Sequence, residues 1–225
     1  MRDEEITQTV HPSSLIPHPC PVAAILLAAG RSRRMSAFKP LLPFGDKTVI
    51  ETCVENLRAG GVGEIVVVVG HRSDEVKSRL QHLEIKFALN DLAESEMGVS
   101  IARGVEKISN GVRTFLVALG DQPAIPPPVI RHLIAERKRA GARLVIPQWQ
   151  RRGGHPVLID SEYRDELLHL DPQRGLRALF ESHREDVRRV SVDSPYVARD
   201  MDVWEDYRAL HEEMFGVPPA ASPRG

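Results

Sequence analysis

The stretch AAILLAAGRSRRMSAFK, residues 23–39, decides the fold. Its first half is apolar without alternation, the pattern of a strand covered on both faces in a mainly parallel sheet. The run stops at Gly30, and four of the next nine residues are basic: Arg31, Arg33, Arg34 and Lys39. Positive charge clustered at the end of a buried strand faces a phosphate, an acidic neighbour or only water.

Similar apolar runs recur downstream at IVVVV (65–69), FLVAL (115–119) and LVIP (144–147). IKFAL (85–89), PVLI (156–159) and VRRVSV (187–192) read as shorter, more peripheral strands. Helical spacing separates them. TVIETCVENLRAGG has apolar residues at 49, 50, 53, 54 and 57, Thr48 and Glu51 spaced as a capping box, and Gly60 as a stop. Asp171 with the proline after it predicts a helix starting there. Segments 73–82, 99–109, 127–140 and 203–214 complete the helices. Strand and helix in alternation predict a single-domain, three-layer α/β/α Rossmann-like open sheet, mainly parallel, over residues 22–215. A proline-rich arm (1–21) precedes it and a flexible tail (216–225) follows it. Ligands of such sheets bind beyond the carboxyl ends of the strands, which directs attention to the residues after each strand.

The chain has 225 residues, 42% of them apolar and 27% charged, as in a globular protein. Lysine plus arginine total 30 against 31 acidic residues, so no global field suits nucleic acid or an anionic membrane. Any anion site is therefore local. Two cysteines, Cys20 and Cys53, make neither a disulfide framework nor a CxxC metal pair. Cys53 lies on the apolar stripe of its helix and reads as core. The N-terminus is acidic where a secretory signal is basic, and no apolar run approaches the ~18–20 residues of a bilayer span. The expectation is a cytoplasmic protein.

Two alanines and a glycine after the first strand leave room for backbone N–H groups to approach a ligand, with the basic residues positioned to neutralise it. Neither a Walker A loop nor GxGxxG is present. Asp121 in GDQPAIPPP ends a central strand at the ligand-binding edge. It is either a ligand for a hard divalent cation or a turn former. Asp202, with Glu205 three residues on, has helix-capping spacing as well as ligand chemistry. GGHP, at 153–156, is either a turn into PVLI or a substrate contact.

LAAGRSRRM with the lysine after it, LGDQP, GGHPVLI and DMDVWEDY occur in that order across residues 22–212. Together they resemble the MobA-like nucleotidyltransferases, closest to the molybdenum cofactor cytidylyltransferase branch. The resemblance implies that Leu27, Ala28, Ala29 and Gly30 cradle the nucleotide, with Arg31 and Ser32 in the same loop. It places Arg34 and Lys39 on the triphosphate and Asn90 near base and ribose. Asp121 becomes a Mg2+ ligand joined by Asp202, and Arg34, Lys39 and Asp121 form the catalytic set. Gly98, Ser100, His155 and Pro156 fall on the acceptor side.

The implied reaction moves CMP from CTP to the terminal phosphate of molybdopterin and releases pyrophosphate, with a client molybdoenzyme downstream. LAAG where guanylyl-transferring members carry LAGG favours cytosine. Glu96 and Val99 depart from the family's small hydroxyl-rich segment and open the acceptor's identity. Met35 is followed by Ser-Ala-Phe, residues 36–38, where glycine is usual, and Phe38 is placed to cover part of the pocket. Alternatives are another nucleotide with a sugar or polyol phosphate acceptor, a non-catalytic cofactor-carrying accessory protein, and a nicotinamide dehydrogenase, against which the missing GxGxxG counts.

Overall fold

The computed structural model describes residues 22–30, 34–35, 37–92, 96–171 and 173–220. The N-terminal arm with Cys20, and Arg31 and Ser32 of the basic loop, lie outside the described residues.

The main strands are β1 (Val22–Ala28), β4 (Glu64–Val69), β5 (Lys86–Leu89), β6 (Thr114–Leu119), β7 (Leu144–Trp149), β8 (Arg152–Gly153), β9 (Val157–Asp160) and β10 (Val187–Ser191). A hairpin of β2 (Pro43–Phe44) and β3 (Lys47–Thr48) stands apart. The helices are α1 (Val49–Ala59), α2 (Ser73–Leu80), α3 (Met97–Lys107), α4 (Pro127–Ala140), α5 (Arg164–Leu168), α6 (Leu176–Ser182) and α7 (Trp204–Phe215). The sheet order is β10-β7-β9-β6-β1-β4-β5, with β8 paired to β7. β1 runs parallel to β4 and β6, while β9 runs antiparallel between β6 and β7.

The unalternating pattern of β1 has a direct structural cause. Ala24, Leu26 and Ala28 join a core with α1, α2, α4 and α7, whereas Ala23 and Ile25 join a second core with α3, α5 and α6. Both faces are covered, so both sets of side chains must be apolar. This is the expected three-layer α/β/α architecture.

Chain order also fixes where a ligand can sit. From β1 the chain proceeds outward to β4 and β5, then returns to β6 on β1's other side. The reversal leaves a crevice beyond the carboxyl ends of β1 and β6. There the Gly120 N–H donates to Leu27 O at 2.8 Å. A Cβ on Gly120 would stand 2.8 Å from that same oxygen, so only glycine brings the two loops this close.

The capping box at Thr48 forms as expected: Glu51 N–H donates to Thr48 Oγ1 at 3.5 Å, and Thr48 N–H to Glu51 Oε2 at 2.8 Å. Thr48→Ala is expected to cost about 1 kcal/mol, measurable by urea unfolding.

Two boundary expectations are corrected. The helix predicted from Asp171 begins at Leu176, because the Asp171 carboxylate accepts N–H bonds from Gln173 (2.8 Å) and Arg174 (3.1 Å) and closes a turn. Gly175, at φ 51° and ψ −138°, then interrupts any helix continuing from it. The cap of α7 is Asp206, which accepts from the N–H groups of Asp202 and Val203 at 2.9 and 3.0 Å. Asp202 is thereby released from the capping role its spacing suggested. The charge-rich segment 160–171 also contributes to the core, through buried Tyr163 and Leu167.

Candidate active site

Three short segments deliver charge to the crevice. Beyond β1, Gly30 is exposed, and a Cβ built on it would meet nothing within 4 Å among the described residues. Leu27 and Ala28 belong to β1 itself, and Ala29 is half-buried.

Met35 and Phe38 are both buried and anchor the loop into the core. The Arg72 guanidinium lies 5.0 Å from the Phe38 ring centroid. Phe38 is therefore a packed anchor more than a cover over the pocket. Between these anchors and the first turn at 39–41, Lys39 is drawn inward until it is 9% exposed.

Its ammonium meets both carboxylates singled out from the sequence. Lys39 Nζ lies 3.1 Å from Asp121 Oδ2 and 3.0 Å from Asp202 Oδ1, and Arg34 Nη1 lies 2.6 Å from Asp202 Oδ2. Residues separated by 82, 163 and 168 positions thus form one alternating cluster. The Lys39 hydrogen bond, reinforced by the positive charges of Lys39 and Arg34, holds the Asp202 carboxyl below its ordinary range against the opposing effect of burial. The cluster is supported from behind, where Asn56 Nδ2 donates to Pro123 O at 2.8 Å.

The donor set suits a divalent cation. Two carboxylate oxygens already converge within about 3 Å of one cationic nitrogen, and hard cations complete their shell with water and phosphate oxygens. Among the described residues, one group of three or more side chains has metal-ligand spacing, His183, Glu185 and Asp186. It is committed elsewhere: Asp186 accepts from Tyr163 Oη at 2.6 Å, and His183 Nε2 pairs with Glu166 at 2.9 Å.

The remaining sequence-predicted residues fall into two further groups. Asn90 and Ser100 are both buried and hydrogen-bonded at 2.8 Å, so the expected nucleotide-side and acceptor-side residues meet directly. Gly98 packs beneath the 170–175 turn, where an added Cβ would lie 3.4 Å from Leu170 Cβ. Glu96 precedes α3 without a side-chain capping bond, and Val99 N–H donates to its carbonyl.

The GGHP segment forms the third group. Its His155–Pro156 bond is cis, Pro156 is buried, and His155 N–H donates to Val197 O at 2.9 Å. Burial pushes the imidazole down to about 4, against a weaker opposing pull from Asp200, so His155 is neutral at pH 7 and offers no cation to a phosphate. The unfolded chain therefore binds the extra proton first. Folding stability should be complete above pH ~6.5 and fall as the pH drops toward about 4. Urea unfolding at pH 7.5 and 5 should show this decline, with a shallower one in His155→Asn.

The sequence placed Phe38 over the pocket and gave Met35 no role; their apolar character inside a basic loop was the available signal that both anchor the loop in the core.

This mostly parallel open sheet is a fold that nucleotidyltransferases share. Residues 24–187 match the MobA-like NTP transferase domain family, and the chain belongs to it. A nicotine blue oxidoreductase from Paenarthrobacter nicotinovorans is 32% identical, covering 85% of this chain and 97% of that one. The crystal structure of Rv0371c from Mycobacterium tuberculosis superposes with a TM-score of 0.75 at 26% identity, covering 85% of this chain and 97% of that one. That protein has also been solved in complex with manganese. A nucleotidyl transferase from Methanothermobacter thermautotroptrophicus aligns with a TM-score of 0.73 at 25% identity, over 87% of this chain and 98% of that one.

Proposed function

We propose that the chain transfers CMP from CTP to the terminal phosphate of molybdopterin, with Mg2+ as the divalent cation and release of pyrophosphate. The observation that carries this reading is the convergence of Asp121, Asp202, Lys39 and Arg34 on one point of the switch-point crevice. The family match supports nucleotidyl transfer, and LAAG at 27–30 favours cytosine. The manganese complex of the mycobacterial relative supports a divalent cation.

In this reading an acceptor phosphate oxygen attacks the α-phosphorus of CTP. The new P–O bond forms as the bond to the β-phosphate breaks, and pyrophosphate departs with the electron pair. The nucleophile is already ionised near pH 7, so no general base is required, which agrees with a neutral His155. Asp121 and Asp202 would hold the Mg2+, which would supply neutralisation of charge on the phosphate chain. Lys39 donates toward the leaving phosphates from a fixed position. Arg34, with 74% of its side chain exposed, reaches them without disturbing the core. The small-residue loop with Arg31 and Ser32 cradles the nucleotide, and Asn90 fixes the edge of that cradle near base and ribose. Ser100, Gly98, His155 and Pro156 bound the acceptor side.

Pyrophosphate release from CTP, Mg2+ and molybdate-loaded molybdopterin tests the proposal; no release with that acceptor overturns its assignment. The relative named as an oxidoreductase, matched over 97% of its length, favours a second reading as an oxidoreductase, of which the nicotinamide dehydrogenase weighed from the sequence is the case to test. A thermal-shift panel of CTP, GTP, ATP and UTP beside NADH and NADPH separates the two, because a ligand of the folded state raises the melting point.

A further inference from the structure

The turn after β4 stands against the loops that follow β1 and β5. A Cβ built on Gly70 would lie 2.7 Å from Asn90 O and 3.0 Å from Ala29 O, so the chain passes here at the closest approach a backbone allows. The next two residues both reach Phe38. The His71 ring meets the Phe38 ring edge-on, with 6.2 Å between centroids, and the Arg72 guanidinium carbon lies over the ring at 5.0 Å from its centroid. A guanidinium so placed is attracted by the negative face of the ring.

Arg72 is held there against its backbone preference. Its φ is 59°, in the left-handed region that costs residues other than glycine about 1–2 kcal/mol. Strain of this kind persists only where the surroundings fix the residue. The Arg72 carbonyl accepts from the N–H groups of Glu75 and Val76 at 3.2 and 3.3 Å, which opens α2. Its side chain forks onto Glu75, Nε to Oε1 at 2.5 Å and Nη2 to Oε2 at 2.6 Å, and supplies no cap to the helix. An exposed ion pair adds little stability by itself. What this fork does is set the plane of a guanidinium that rests on a ring, and the ring belongs to the residue before Lys39. Phe38 is 7% exposed and Lys39 9%, and the Phe38 carbonyl accepts from Leu41 N–H at 3.1 Å at the start of the turn that carries Lys39.

We infer that Arg72 is a positioning residue for Lys39. It clamps the Phe38 ring against the core, and the clamped ring holds the adjoining backbone so that Lys39 Nζ stays 3.1 Å from Asp121 Oδ2 and 3.0 Å from Asp202 Oδ1. The consequence for phosphate binding rests on the nucleotidyltransferase reading above; the clamp itself does not.

Acetylation of the full chain with an N-hydroxysuccinimide acetate, read lysine by lysine by peptide mass spectrometry, tests the clamp without any nucleotide. Arg72→Asn keeps a residue tolerant of positive φ and removes the guanidinium. In it Lys39 should react about twofold to fivefold faster, the factor equivalent to an exposed cation–π contact. Exposed Lys107 and Lys138 should keep their wild-type rates. Phe38→Leu should give a similar rise, and the double variant should be no faster than the faster single one, because both changes remove the same contact. Arg72→Lys, which keeps a cation for the ring, should stay closer to the wild type than to Arg72→Asn. An unchanged Lys39 rate in Arg72→Asn, a rise shared by Lys107 and Lys138, rises that multiply in the double variant, or Arg72→Lys as fast as Arg72→Asn overturns the clamp. Titration of CTP with Mg2+ reads the nucleotide site separately, and Arg72→Asn should weaken that binding by the same factor. Unaltered CTP affinity beside faster acetylation overturns the link from clamp to phosphate. A wild-type chain that binds no CTP contradicts the nucleotidyltransferase reading, and the acetylation rates still decide the clamp.

Discussion

Asp121→Asn should lower CTP-dependent pyrophosphate release by about 10²–10³-fold, the loss typical of removing one preorganised electrostatic contact at a reacting centre. The substitution keeps shape and hydrogen-bonding capacity but removes the charge. Asp121 is one of two carboxylates sharing Lys39, and the end of β6 stays pinned by Gly120 and by Asn56. The variant should therefore fold normally, with its melting point within a few degrees of the wild type. A drop below about tenfold in a folded variant places the reacting phosphates elsewhere.

Gly154→Ala should be strongly destabilising, costing about 3–5 kcal/mol. An added Cβ would lie 1.7 Å from Val197 O and 2.4 Å from its carbonyl carbon, and backbone cannot step aside as a side chain can. The same approach lets His155 N–H bond Val197 O, so both sides of the contact would be forced apart. Gly153→Ala provides the contrast. Its nearest neighbour is the Ile146 Cγ2 at 3.2 Å, part of a side chain that can yield by tenths of an ångström. For a domain of this size the Gly154 variant should melt roughly 10 °C lower, and the Gly153 variant within about 3 °C of the wild type, by calorimetry.

Alternation of strands and helices was legible because burial on both faces leaves a continuous apolar run, and β1 divides its side chains between two cores as that run requires. Strand direction was not legible: PVLI has the same pattern whichever way β9 runs, and it runs antiparallel. Position at strand ends singled out the basic loop and Asp121, the family resemblance picked Arg34, Lys39 and Asp202, and the fold brings those four side chains together.

Roles that depend on a neighbour's hydrogen bond were hidden. Asp202 has the spacing of a cap, and only the geometry shows Asp206 doing the capping. Gln122 lies in the LGDQP motif, yet no sequence pattern shows that its Oε1 is buried without a hydrogen-bond partner among the described residues. The helix expected at Asp171 failed for the same local reason: an aspartate that can cap a helix can equally close a turn.

The central claim is that Asp121 and Asp202 join a divalent cation to a nucleoside triphosphate at the β1–β6 crevice. Isothermal titration of CTP into the full chain, with Mg2+ and then with EDTA, tests it most directly. The account predicts that Mg2+ tightens CTP binding at least about tenfold and that Asp121→Asn abolishes the gain, the scale of a charge-assisted contact. CTP affinity that is indifferent to Mg2+, or a Mg2+ effect that persists in Asp121→Asn, would contradict it.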